Sequence, residues 1–459
     1  MQNNESIEKE MNKSINEAIL LQKSQVFDRD FKVCLDSACT IGNGIIRVEG
    51  PDKEKAFQAF NDLTFKPSFF IPASGSGSRM FKFLYQWVED GEETDMVSAF
   101  FNQLDLFPFA SKVKTRNHRS RIAEELLGEG NLNYGGIPKG LIPFHIEKGQ
   151  IFSAFQEHVR QAKAFLKEDV KIHFTIQKDF ESRIIENIEE VNLGVKCSFS
   201  DQSKLSDAFC FDHDENVVMD GVSHLRRPAG HGAILSNLNE IDSDLILIKN
   251  IDNIQHNTKA EHTEKVWKIS IGTLVNFKKA LKGLSENFTV EKLIEINHKY
   301  QFLSEGEIDG FDSSSLENIV NRPTRVCGMV KNEGAPGGGP FWMKTEEGVT
   351  KQIVEGIQIS KKTDQKEIVN NSSHFNPVFL VVSKTDVNDN RLDLMNYRDE
   401  SAYFVVEKTE KGKSIKYREL PGLWNGSMSN WNTVFMEIPS KVFSPVKTVL
   451  DLNTPAHKA

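Results

Sequence analysis

A glycine-rich stretch near the start of this 459-residue chain has the residue types and spacing to bind a phosphate. Residues 68–80 read SFFIPASGSGSRM, so an apolar run typical of a strand is followed by six small residues and then by Arg79, where helical spacing begins. A turn of this kind aims backbone N–H groups and a helix start at an anion, and glycine lets a phosphate approach the backbone closely. Arg79 adds a two-pronged phosphate donor. The stretch therefore predicts a phosphate site, with a flexible turn as the structural alternative.

Two better-known phosphate loops do not fit this stretch. The pattern GxxxxGK(S/T) of the P-loop NTPases is absent here. The dinucleotide fingerprint GxGxxG would need a third glycine where Met80 stands. The remaining motifs of the chain must therefore decide between a phosphate site and a flexible turn.

The overall composition limits the classes of partner. With 39% hydrophobic and 26% charged residues, the chain is typical of a soluble globular protein. A net charge of −9 argues against a general polyanion-binding surface, so nucleic acid is not expected as a partner. The five cysteines lack CxxC pairs, the N-terminal residues are polar rather than signal-like, and no apolar run reaches the roughly 20 residues of a membrane helix. We therefore expect a cytoplasmic protein without a membrane partner, and the sequence indicates no oligomeric state.

Predicted helices and strands alternate from residue 150 onwards, after an amphipathic helix at residues 3–25 and a polar helical stretch at 82–135. This alternation is typical of an α/β fold with a mostly parallel, twisted sheet and helices on both faces. Ligands of such sheets bind at the carboxyl ends of the strands. The glycine-rich stretch, Gly230–Gly232 and Asp252 are all predicted to lie at such ends, which predicts one shared binding edge.

A basic run within the polar helical stretch has two interpretations. It consists of Lys112, Lys114, Arg116, His118, Arg119 and Arg121. The first interpretation is a solvated helix face. The second is a lid whose guanidinium and ammonium groups help to hold a polyphosphate.

Six motifs, in this order along the chain, resemble the nucleotide-sugar pyrophosphorylases, most nearly the UDP-sugar and UDP-N-acetylhexosamine branch. They are the glycine-rich stretch ending in Arg79-Met80, Pro138-Lys139, Gly230-His231-Gly232, Asn250-Ile251-Asp252-Asn253, Phe375-Asn376 and Phe443-Ser444-Pro445-Val446-Lys447. The whole chain is also similar to a bacterial family related to these enzymes, for which no substrate is established. The resemblance implies a Rossmann-like core of the glycosyltransferase-A type at residues 65–383, an N-terminal helical segment at 1–64 and a C-terminal segment at 384–459 that contributes Lys447.

Two departures from the family pattern concern the chain that follows the glycine-rich stretch. The family usually has threonine where Ser78 stands. Its Pro-Lys pair usually follows the loop closely, whereas Lys139 lies 60 residues after Arg79. Residues 82–135 are therefore expected to form a helical insertion.

The resemblance implies that a sugar 1-phosphate attacks the α-phosphorus of a nucleoside triphosphate, UTP being favoured, and that pyrophosphate leaves. The implied nucleotide-binding residues are Ala73, Ser74, Gly75, Ser76, Gly77, Ser78, Gly230, His231 and Gly232. The implied catalytic cations are Arg79, Lys139 and Lys447, and Asp252 is the implied ligand of a Mg²⁺ cofactor. The sugar hydroxyls would meet Glu333, Gly337, Gly338, Gly339 and Asn376.

Several of these residues also have a purely structural explanation. Asp252 fits a helix N-cap, Lys139 and Lys447 fit a solvated surface, and Gly337–Gly339 fit a simple loop. His231 and Asn376 fit turns bonded to the backbone. Two other functions stay open. One is a glycosyltransferase, because Asp212-His213-Asp214 and Asp242-Ser243-Asp244 match the Asp-x-Asp pattern that holds a nucleotide-sugar metal. The other is a non-catalytic protein that binds nucleotide sugars.

Overall fold

The structure is a computed structural model that describes residues 2–28, 32–334, 338–410 and 413–459. Its α-helices are α1 (Gln2–Val26), α2 (Gly50–Asn61), α3 (Lys82–Asp90), α4 (Asp95–Asn102), α5 (Arg119–Leu127), α6 (Ala154–Leu166), α7 (Glu181–Glu189), α8 (Leu235–Glu240), α9 (Ala260–Glu286), α10 (Val290–Tyr300), α11 (Glu305–Asp309), α12 (Ser313–Val320) and α13 (Thr363–Asn370). None of the helices that the structure describes combines the length and the apolar character of a membrane span.

The strands are β1 (Cys34–Ala38), β2 (Thr40–Ile41), β3 (Gly44–Ile46), β4 (Ser68–Pro72), β5 (Pro143–Glu147), β6 (Gln150–Ser153), β7 (Lys171–Ile176), β8 (Lys196–Asp201), β9 (Ala208–Phe211), β10 (Met219–Asp220), β11 (Ser223–His224), β12 (Arg226–Arg227), β13 (Leu245–Lys249), β14 (Thr324–Lys331), β15 (Gly339–Thr345), β16 (Gly348–Val354), β17 (His374–Phe375), β18 (Phe379–Ser383), β19 (Phe404–Glu410), β20 (Lys413–Glu419) and β21 (Asn432–Glu437).

A ten-stranded sheet forms the centre of the molecule. Its strands follow the order β2-β3-β21-β14-β18-β13-β4-β7-β8, and β17 pairs with β14 outside this path. Every pair along the path is parallel except the two that involve β18, and β17 is also antiparallel to its partner. The predicted mostly parallel α/β sheet is therefore confirmed.

Alternate side chains of the central strands enter two separate hydrophobic cores. Leu245 and Leu247 of β13 point into the core that contains Trp267 of α9, whereas Ile246 and Ile248 point into the core that contains Leu235 of α8. Because successive strand residues face opposite sides of a sheet, a strand that is apolar throughout must be covered on both faces. The continuous run of β13 thus explains why helices lie on both faces, as predicted.

The carboxyl ends of β4 and β13 lie side by side. Ile246 pairs with Ser68 and Ile248 with Phe70 in parallel register, so both strands deliver their following loops to the same edge of the sheet. The N–H of Ile251 donates to the carbonyl of Pro72 at 3.2 Å and joins the two loops. The glycine-rich stretch and residues 250–253 therefore lie at one edge of the sheet, as predicted. The prediction that Gly230–Gly232 follow a strand of the same sheet is wrong, because they follow β12, which belongs to a separate four-stranded sheet.

Residues 82–135 fold as a helical unit of α3, α4 and α5 joined by 3-10 turns. Aromatic rings fill its interior: Phe107 stacks on Phe109 at 5.1 Å, and Phe109 meets Tyr134 edge-on at 5.4 Å. The helix expected from Arg79 begins at Lys82, because a 3-10 turn over Gly77–Arg79 comes first.

The domain boundaries stay a prediction. The N-terminal and C-terminal segments both contribute strands, β3 and β21, to the central sheet.

Candidate active site

Three charged side chains that are distant in sequence meet at the carboxyl edge of the sheet. The Nζ atom of Lys139 lies 2.9 Å from Oδ2 of Asp252, and the Nζ atom of Lys447 lies 3.5 Å from the same oxygen. The side chains of Lys139 and Asp252 are 11% and 14% exposed, whereas that of Lys447 is 57% exposed. In this Lys–Asp–Lys cluster, one carboxylate oxygen faces two ammonium groups, one almost buried and one open to solvent.

The chain that leads to Lys139 is docked on the glycine-rich stretch. The N–H of Lys139 donates to the carbonyl of Gly75 at 2.9 Å, and the N–H of Gly77 donates to the carbonyl of Ile137 at 3.0 Å. A side chain at Gly77 would place its Cβ 2.0 Å from the carbonyl oxygen of Tyr134, so only glycine permits this approach. The helical unit of residues 82–135 therefore returns the chain to the loop, and Lys139 reaches the site despite its unusual spacing.

The C-terminal segment is docked on the loop that follows β13. The N–H of Val446 donates to the carbonyl of Asp252 at 3.0 Å, and the N–H of Ser444 donates to Oδ1 of Asn253 at 3.0 Å. Asn253 is itself almost completely buried. The motif residues 250–253 and 443–447 therefore act as one unit, because backbone contacts to the first hold Lys447 beside the carboxylate.

Burial and charge act in opposite directions within the cluster. Burial favours the neutral carboxyl of Asp252, but the ammonium groups of Lys139 and Lys447 outweigh it and hold the pKa of Asp252 below its usual value. Burial lowers the pKa of Lys139, and contact with Asp252 opposes this effect. The cluster carries two positive charges against one negative charge at neutral pH and so favours an anion.

The glycine-rich stretch offers backbone donors beside this cluster. Within the described part of the chain, the N–H groups of Ser74, Gly75 and Ser76 have no hydrogen-bond partner. A Cβ added at Gly75 would meet open space, and the hydroxyls of Ser76 and Ser78 lie 2.9 Å apart at the surface. Three successive donors next to open space suit an anion, as the sequence predicts. The exposed Arg79 follows directly, and its charge acts on Lys139.

Another segment of the chain passes so close to positions 230 and 232 that only glycine fits at both. Gly230 has φ +75°, and a Cβ there would lie 2.4 Å from a carboxylate oxygen of Glu419. A Cβ at Gly232 would lie 2.0 Å from the carbonyl oxygen of Pro421. Their glycine character is therefore explained by the chain segment that follows β20, and their predicted contact with the nucleotide stays a prediction.

His231 is anchored to the same segment. Its Nδ1 accepts a hydrogen bond from the N–H of Leu423 at 2.9 Å, and its ring stacks on Trp424 with centroids 4.2 Å apart and planes 14° from parallel. Burial lowers the pKa of His231 to about 4, so the ring is neutral at pH 7. These contacts match the structural interpretation of a histidine bonded to the backbone, and a role towards the base stays a prediction.

Two of the predicted sugar-binding residues meet in the structure. The N–H of Asn376 donates to the carbonyl of Gly338 at 2.9 Å, and Oδ1 of Asn376 accepts from the N–H of Val378 at 2.7 Å. Its Nδ2 is buried and has no partner among the described residues. Glu333 is exposed just after β14, Gly339 begins β15, and Gly337 lies outside the described residues. Asn376 therefore has an amide donor left for a ligand.

The sequence analysis missed two carboxylates, Glu355 and Glu419, that lie next to glycines of the predicted site. Glu355 follows β16 next to Gly338, whose added Cβ would lie 3.3 Å from Oε1 of Glu355, and burial raises the pKa of Glu355. Glu419 ends β20 against Gly230, and burial raises its pKa while Arg79 opposes this effect. Both lie at strand ends, which is the one signal that could have found them.

The fit of a Mg²⁺ ion depends on Asp252. No group of three or more His, Cys, Asp or Glu side chains suited to a metal occurs in the part of the chain that the structure describes. Oδ2 of Asp252 faces the two lysines, which leaves Oδ1 for a cation. Mg²⁺ is often held by one or two carboxylates together with substrate phosphates. The residues therefore fit a Mg²⁺ ion that arrives with its phosphate ligand.

Two arginines of the basic run, Arg116 and Arg119, form ion pairs within the helical unit. Arg119 lies 2.5 Å from Glu93 of the loop before α4, and Arg116 lies 3.8 Å from Asp105. The guanidinium of Arg116 also donates to the carbonyl of Ala110 at 2.8 Å. These contacts favour the solvated-face interpretation over the lid.

The two Asp-x-Asp matches lie in solvated turns. Oδ1 of Asp212 accepts hydrogen bonds from the N–H groups of Asp214 and Asn216 at 2.9 and 2.8 Å, which closes the turn after β9. The side chain of Asp242 is 98% exposed and lies before β13, at the opposite end of that strand from Asp252. Neither pair has the position of a metal site at the carboxyl edge.

Comparison with known proteins relates the chain to one family and to several solved folds. The model of a family described as "Domain of unknown function (DUF4301)" matches residues 3–458. No curated protein matches the chain. Similar solved structures include one from Entamoeba histolytica described as a UDP-N-acetylglucosamine pyrophosphorylase, with 13% identity over 92% of this chain and 84% of that one and a TM-score of 0.47.

Two further similar structures come from Trypanosoma brucei. One is a uridine diphosphate N-acetylglucosamine pyrophosphorylase bound to an inhibitor, with 13% identity over 91% of this chain and 71% of that one and a TM-score of 0.48. The other is described as a UDP-glucose phosphorylase, with 11% identity over 97% of this chain and 74% of that one and a TM-score of 0.43. Similarity at this level assigns no activity to this chain.

Proposed function

Because this chain belongs to the DUF4301 family, whose description assigns no activity, we propose its function from its own site. The protein is a nucleotidyltransferase that joins a nucleoside triphosphate to a sugar 1-phosphate and releases pyrophosphate. The observation that carries this proposal is the Lys–Asp–Lys cluster beside the free N–H groups of the glycine-rich stretch. Such a site is suited to bring two anions together.

The proposed reaction makes and breaks one bond at the same phosphorus. A phosphate oxygen of the sugar 1-phosphate attacks the α-phosphorus of the triphosphate, and the bond from this phosphorus to the bridging oxygen breaks, so that the electron pair leaves with pyrophosphate. In such transfers the protein mainly aligns the reactants and neutralises the developing charge. Two anions that repel each other must therefore be approached by cations from both sides.

The positions of the cations indicate which phosphate group each of them would bind. The glycine-rich stretch and Arg79 would hold the triphosphate, since backbone donors and a guanidinium lie together there. Lys139 is docked on this stretch and almost buried, so it would hold the transferred phosphate. Lys447 is the more exposed ammonium and would receive the sugar phosphate. The two lysines would then lie on either side of the α-phosphorus.

Asp252 keeps both lysines in place and is the residue that would hold Mg²⁺. When bound, the metal supplies further neutralisation of the phosphate charge. The carboxylate orients Lys139 and Lys447 through Oδ2, and this contact does not depend on the metal. The Mg²⁺ requirement is therefore a separate part of the proposal from the positions of the lysines.

The choice of substrates rests on the motif resemblance. It implies UTP as donor, with Gly230–Gly232 facing the base and ribose. Glu333, Gly337–Gly339 and Asn376 would face the sugar, and the buried free amide of Asn376 supports this placement for that residue. All five cysteines are free thiols, which suits the proposed cytoplasmic location.

The test is a panel of nucleoside triphosphates against sugar 1-phosphates with Mg²⁺, read as pyrophosphate release. Wild type should release pyrophosphate with at least one pair, and Lys447→Met should lose most of this activity. Lys361→Met is the matched control, because Lys361 is exposed and has no ion-pair partner within the described part of the chain. No release across the panel contradicts the proposed reaction. Binding of a nucleotide sugar without turnover would instead support a non-catalytic binding protein.

A further inference from the structure

A cavity lies at the carboxyl edge of the same sheet and is not lined by the Lys–Asp–Lys cluster. It has a volume of about 620 Å³ and is bordered by Arg47–Glu49, Lys53, the first turns of α9, Lys331 and Met436–Lys441. These segments follow or flank the carboxyl ends of β3, β21 and β14. We call this cavity the basic groove.

The basic groove is separate from the Lys–Asp–Lys cluster. β14, which ends in Lys331, lies two strands from β13 in the central sheet, and β21 lies three strands from it. At a spacing of about 4.8 Å per strand these separations are about 10 and 14 Å. Neither Asp252 nor Lys139 nor Lys447 borders the groove. A ligand in the groove would therefore not use the groups that the proposed reaction needs.

Positive charge dominates the border of the groove. Its cations are Arg47, Lys53, Lys265, Lys331 and Lys441, with His262 beside them, and its carboxylates are Glu49 and Glu437. Glu437 is already engaged, because its Oε2 lies 2.5 Å from Nε of Arg47 and its Oε1 lies 3.4 Å from Nε2 of His374. Glu49 also acts on Arg47. Both acidic groups of the groove are thus associated with a single arginine.

Three of the four lysines that border the groove are left without a matching charge. Lys265 pairs with Glu261 at 2.6 Å, outside the groove. Across residues 32–334, 338–410 and 413–459, no carboxylate lies within ion-pair distance of Lys53, Lys331 or Lys441. The Nζ of Lys441 instead lies 3.5 Å from Nε2 of His262. Several exposed cations that face one cavity in a protein of net charge −9 are a local anion site, not a general basic surface.

The floor of the groove is apolar. Val266, Met436 and Ile438 border it and are 6%, 2% and 3% exposed. Val48 and Ile269 add further apolar surface. Small-molecule sites typically combine an apolar lining with a few polar groups that fix orientation. This groove therefore suits a ligand that carries both an anionic group and an apolar body.

We propose that the basic groove binds a small phosphorylated molecule with an apolar ring or chain, whose phosphate is held by Lys331 and Lys441. The ammonium group is a common phosphate partner as a point charge. The volume of the groove and its apolar floor suit a small molecule. The proposal rests on the groove alone and does not depend on the proposed nucleotidyl transfer.

The test uses phenyl phosphate as the probe, with inorganic phosphate and phenol as its two halves, and measures binding by calorimetry. Wild type should bind phenyl phosphate saturably and more tightly than either half. Lys331→Gln/Lys441→Gln should weaken this binding by about tenfold, because two exposed cations that face the phosphate are removed. Added salt should weaken wild-type binding as well.

Three matched variants locate the binding site. Lys361→Gln/Lys366→Gln removes the same charge from exposed lysines elsewhere and should bind phenyl phosphate as wild type does. Lys447→Gln should lose only binding that depends on the candidate active site and should keep the binding that depends on Lys331 and Lys441, because Lys447 lies outside the groove. Val266→Ala should weaken phenyl phosphate more than inorganic phosphate, since it removes apolar surface from the floor.

Several results overturn the proposal. Equal binding by wild type and by Lys331→Gln/Lys441→Gln would show that these lysines hold no phosphate. Loss of binding in Lys447→Gln would place the probe in the candidate active site. Phenol binding as tight as phenyl phosphate would show that the groove does not select an anion. Circular dichroism and thermal unfolding of every variant separate these outcomes from loss of folding.

Discussion

The Lys–Asp–Lys cluster and a buried histidine cluster both take residues from the same two parts of the chain, residues 250–258 and 444–458, and each adds residues from elsewhere. The histidine cluster consists of His145, His256, His457 and Glu157. Nε2 of His145 lies 2.9 Å from Nδ1 of His457, and Nε2 of His457 lies 3.1 Å from the carbonyl oxygen of Ser444. Both clusters therefore attach the C-terminal segment to the loop that follows β13.

The two clusters differ in how completely they are closed. The side chains of His145 and Glu157 are 0% exposed, and Nδ1 of His145 lies 3.3 Å from Oε1 of Glu157. Glu157 also meets Arg160 at 2.9 Å, and Nε2 of His256 lies 3.0 Å from the carbonyl oxygen of Ile146. In the Lys–Asp–Lys cluster two cations share one anion, and one of these cations is open to solvent. The closed cluster can hold the chain, whereas the open one retains the capacity to bind an anion.

Asp252→Asn should have the largest effect of the variants that test this difference between the clusters. The substitution keeps the shape of the side chain and removes the charge that both lysines share, so kcat should fall by about 100-fold or more, equivalent to about 3 kcal/mol. Lys139 would keep its almost buried charge without a partner, so the free energy of unfolding should also fall by about 2 kcal/mol. Pyrophosphate release and urea unfolding measure the two effects.

The Mg²⁺ dependence of the same variant separates two roles of Asp252. If the carboxylate holds the metal, Asp252→Asn should need a higher Mg²⁺ concentration for half-maximal rate. An unchanged Mg²⁺ requirement with a reduced kcat would leave only the orientation of the lysines. Full Mg²⁺-dependent turnover in Asp252→Asn would remove Asp252 from the site altogether.

The two lysines allow a comparison within the open cluster. Lys447→Met and Lys139→Met remove the same charge, and each should lower kcat by about tenfold or more, because each removes a cation from the transferring phosphate. Stability should respond differently. Lys447 is mostly exposed, so its loss should change the free energy of unfolding by less than about 0.5 kcal/mol. Lys139 is almost buried beside Asp252, so its loss should cost about 2 kcal/mol.

Kinetics and urea unfolding of both lysine variants measure this contrast. Asn297→Ala in α10 is a suitable reference for a stability loss without a kinetic effect, because its side chain bonds the N–H groups of Phe302 and Leu303, away from the site. Equal stability of Lys139→Met and Lys447→Met would contradict the view that Lys139 is the buried lysine of the Lys–Asp–Lys cluster and Lys447 its exposed one.

The pH dependence of stability probes the buried histidines. Burial lowers the pKa values of His145, His158 and His457 to about 3 each, so these rings are neutral in the folded protein. In the unfolded chain they bind protons near pH 6.5. The stability that the neutral rings contribute is therefore present above pH 6.5 and is lost as the pH falls from there towards 3. Glu157, whose pKa burial raises to about 7, has the opposite dependence, but three histidines outweigh one carboxyl.

His158→Gln isolates one of these groups. Nε2 of His158 lies 3.1 Å from the carbonyl oxygen of Ile251, and a glutamine amide can donate to the same oxygen without titrating. The variant should lose stability on acidification less steeply than wild type, by up to about 1.4 kcal/mol per pH unit below pH 6. Chemical unfolding at pH 7.5, 6.0 and 5.0 measures the slopes. The exposed His213→Gln should keep the wild-type slope, and an unchanged slope in His158→Gln would mean that this ring is protonated in the folded protein.

The central sheet and the place of Asp252 at its carboxyl edge could be predicted because their signals are local. The stretch Asp244–Lys249 predicts a buried strand, and Asp252 follows that strand, so its place at the carboxyl edge follows from the sheet rule. Lys139 and Lys447 were predicted from short motifs, although their contact with Asp252 depends on segments that only the fold brings together.

The features of the fold and of the site that the sequence did not predict depend on contacts between distant segments. The position of β21 between β3 and β14 does not follow from its sequence, because parallel pairing leaves no turn signal nearby. Gly230 and Gly232 read as ligand-binding glycines, whereas their crowding comes from Glu419 and Pro421 of the C-terminal segment. The basic groove is likewise invisible in the sequence, since its lysines come from separate segments and form no run.

The smallest expected effect concerns the basic run of the helical unit. Arg119 lies 4.9 Å over the ring of Phe101 and pairs with Glu93, and both partners of this ion pair are 45% exposed. Exposed pairs contribute about 0–1 kcal/mol, so Arg119→Gln should change stability little and leave the KM for the triphosphate within about twofold of wild type. Arg79→Gln provides the matched control, because the same change beside the glycine-rich stretch should raise this KM severalfold. Steady-state kinetics at two salt concentrations measure both variants. A rise in KM for Arg119→Gln as large as that for Arg79→Gln would mean that the helical unit closes over the triphosphate, and that the pairing of its arginines with Glu93 and Asp105 is exchanged for phosphate during turnover.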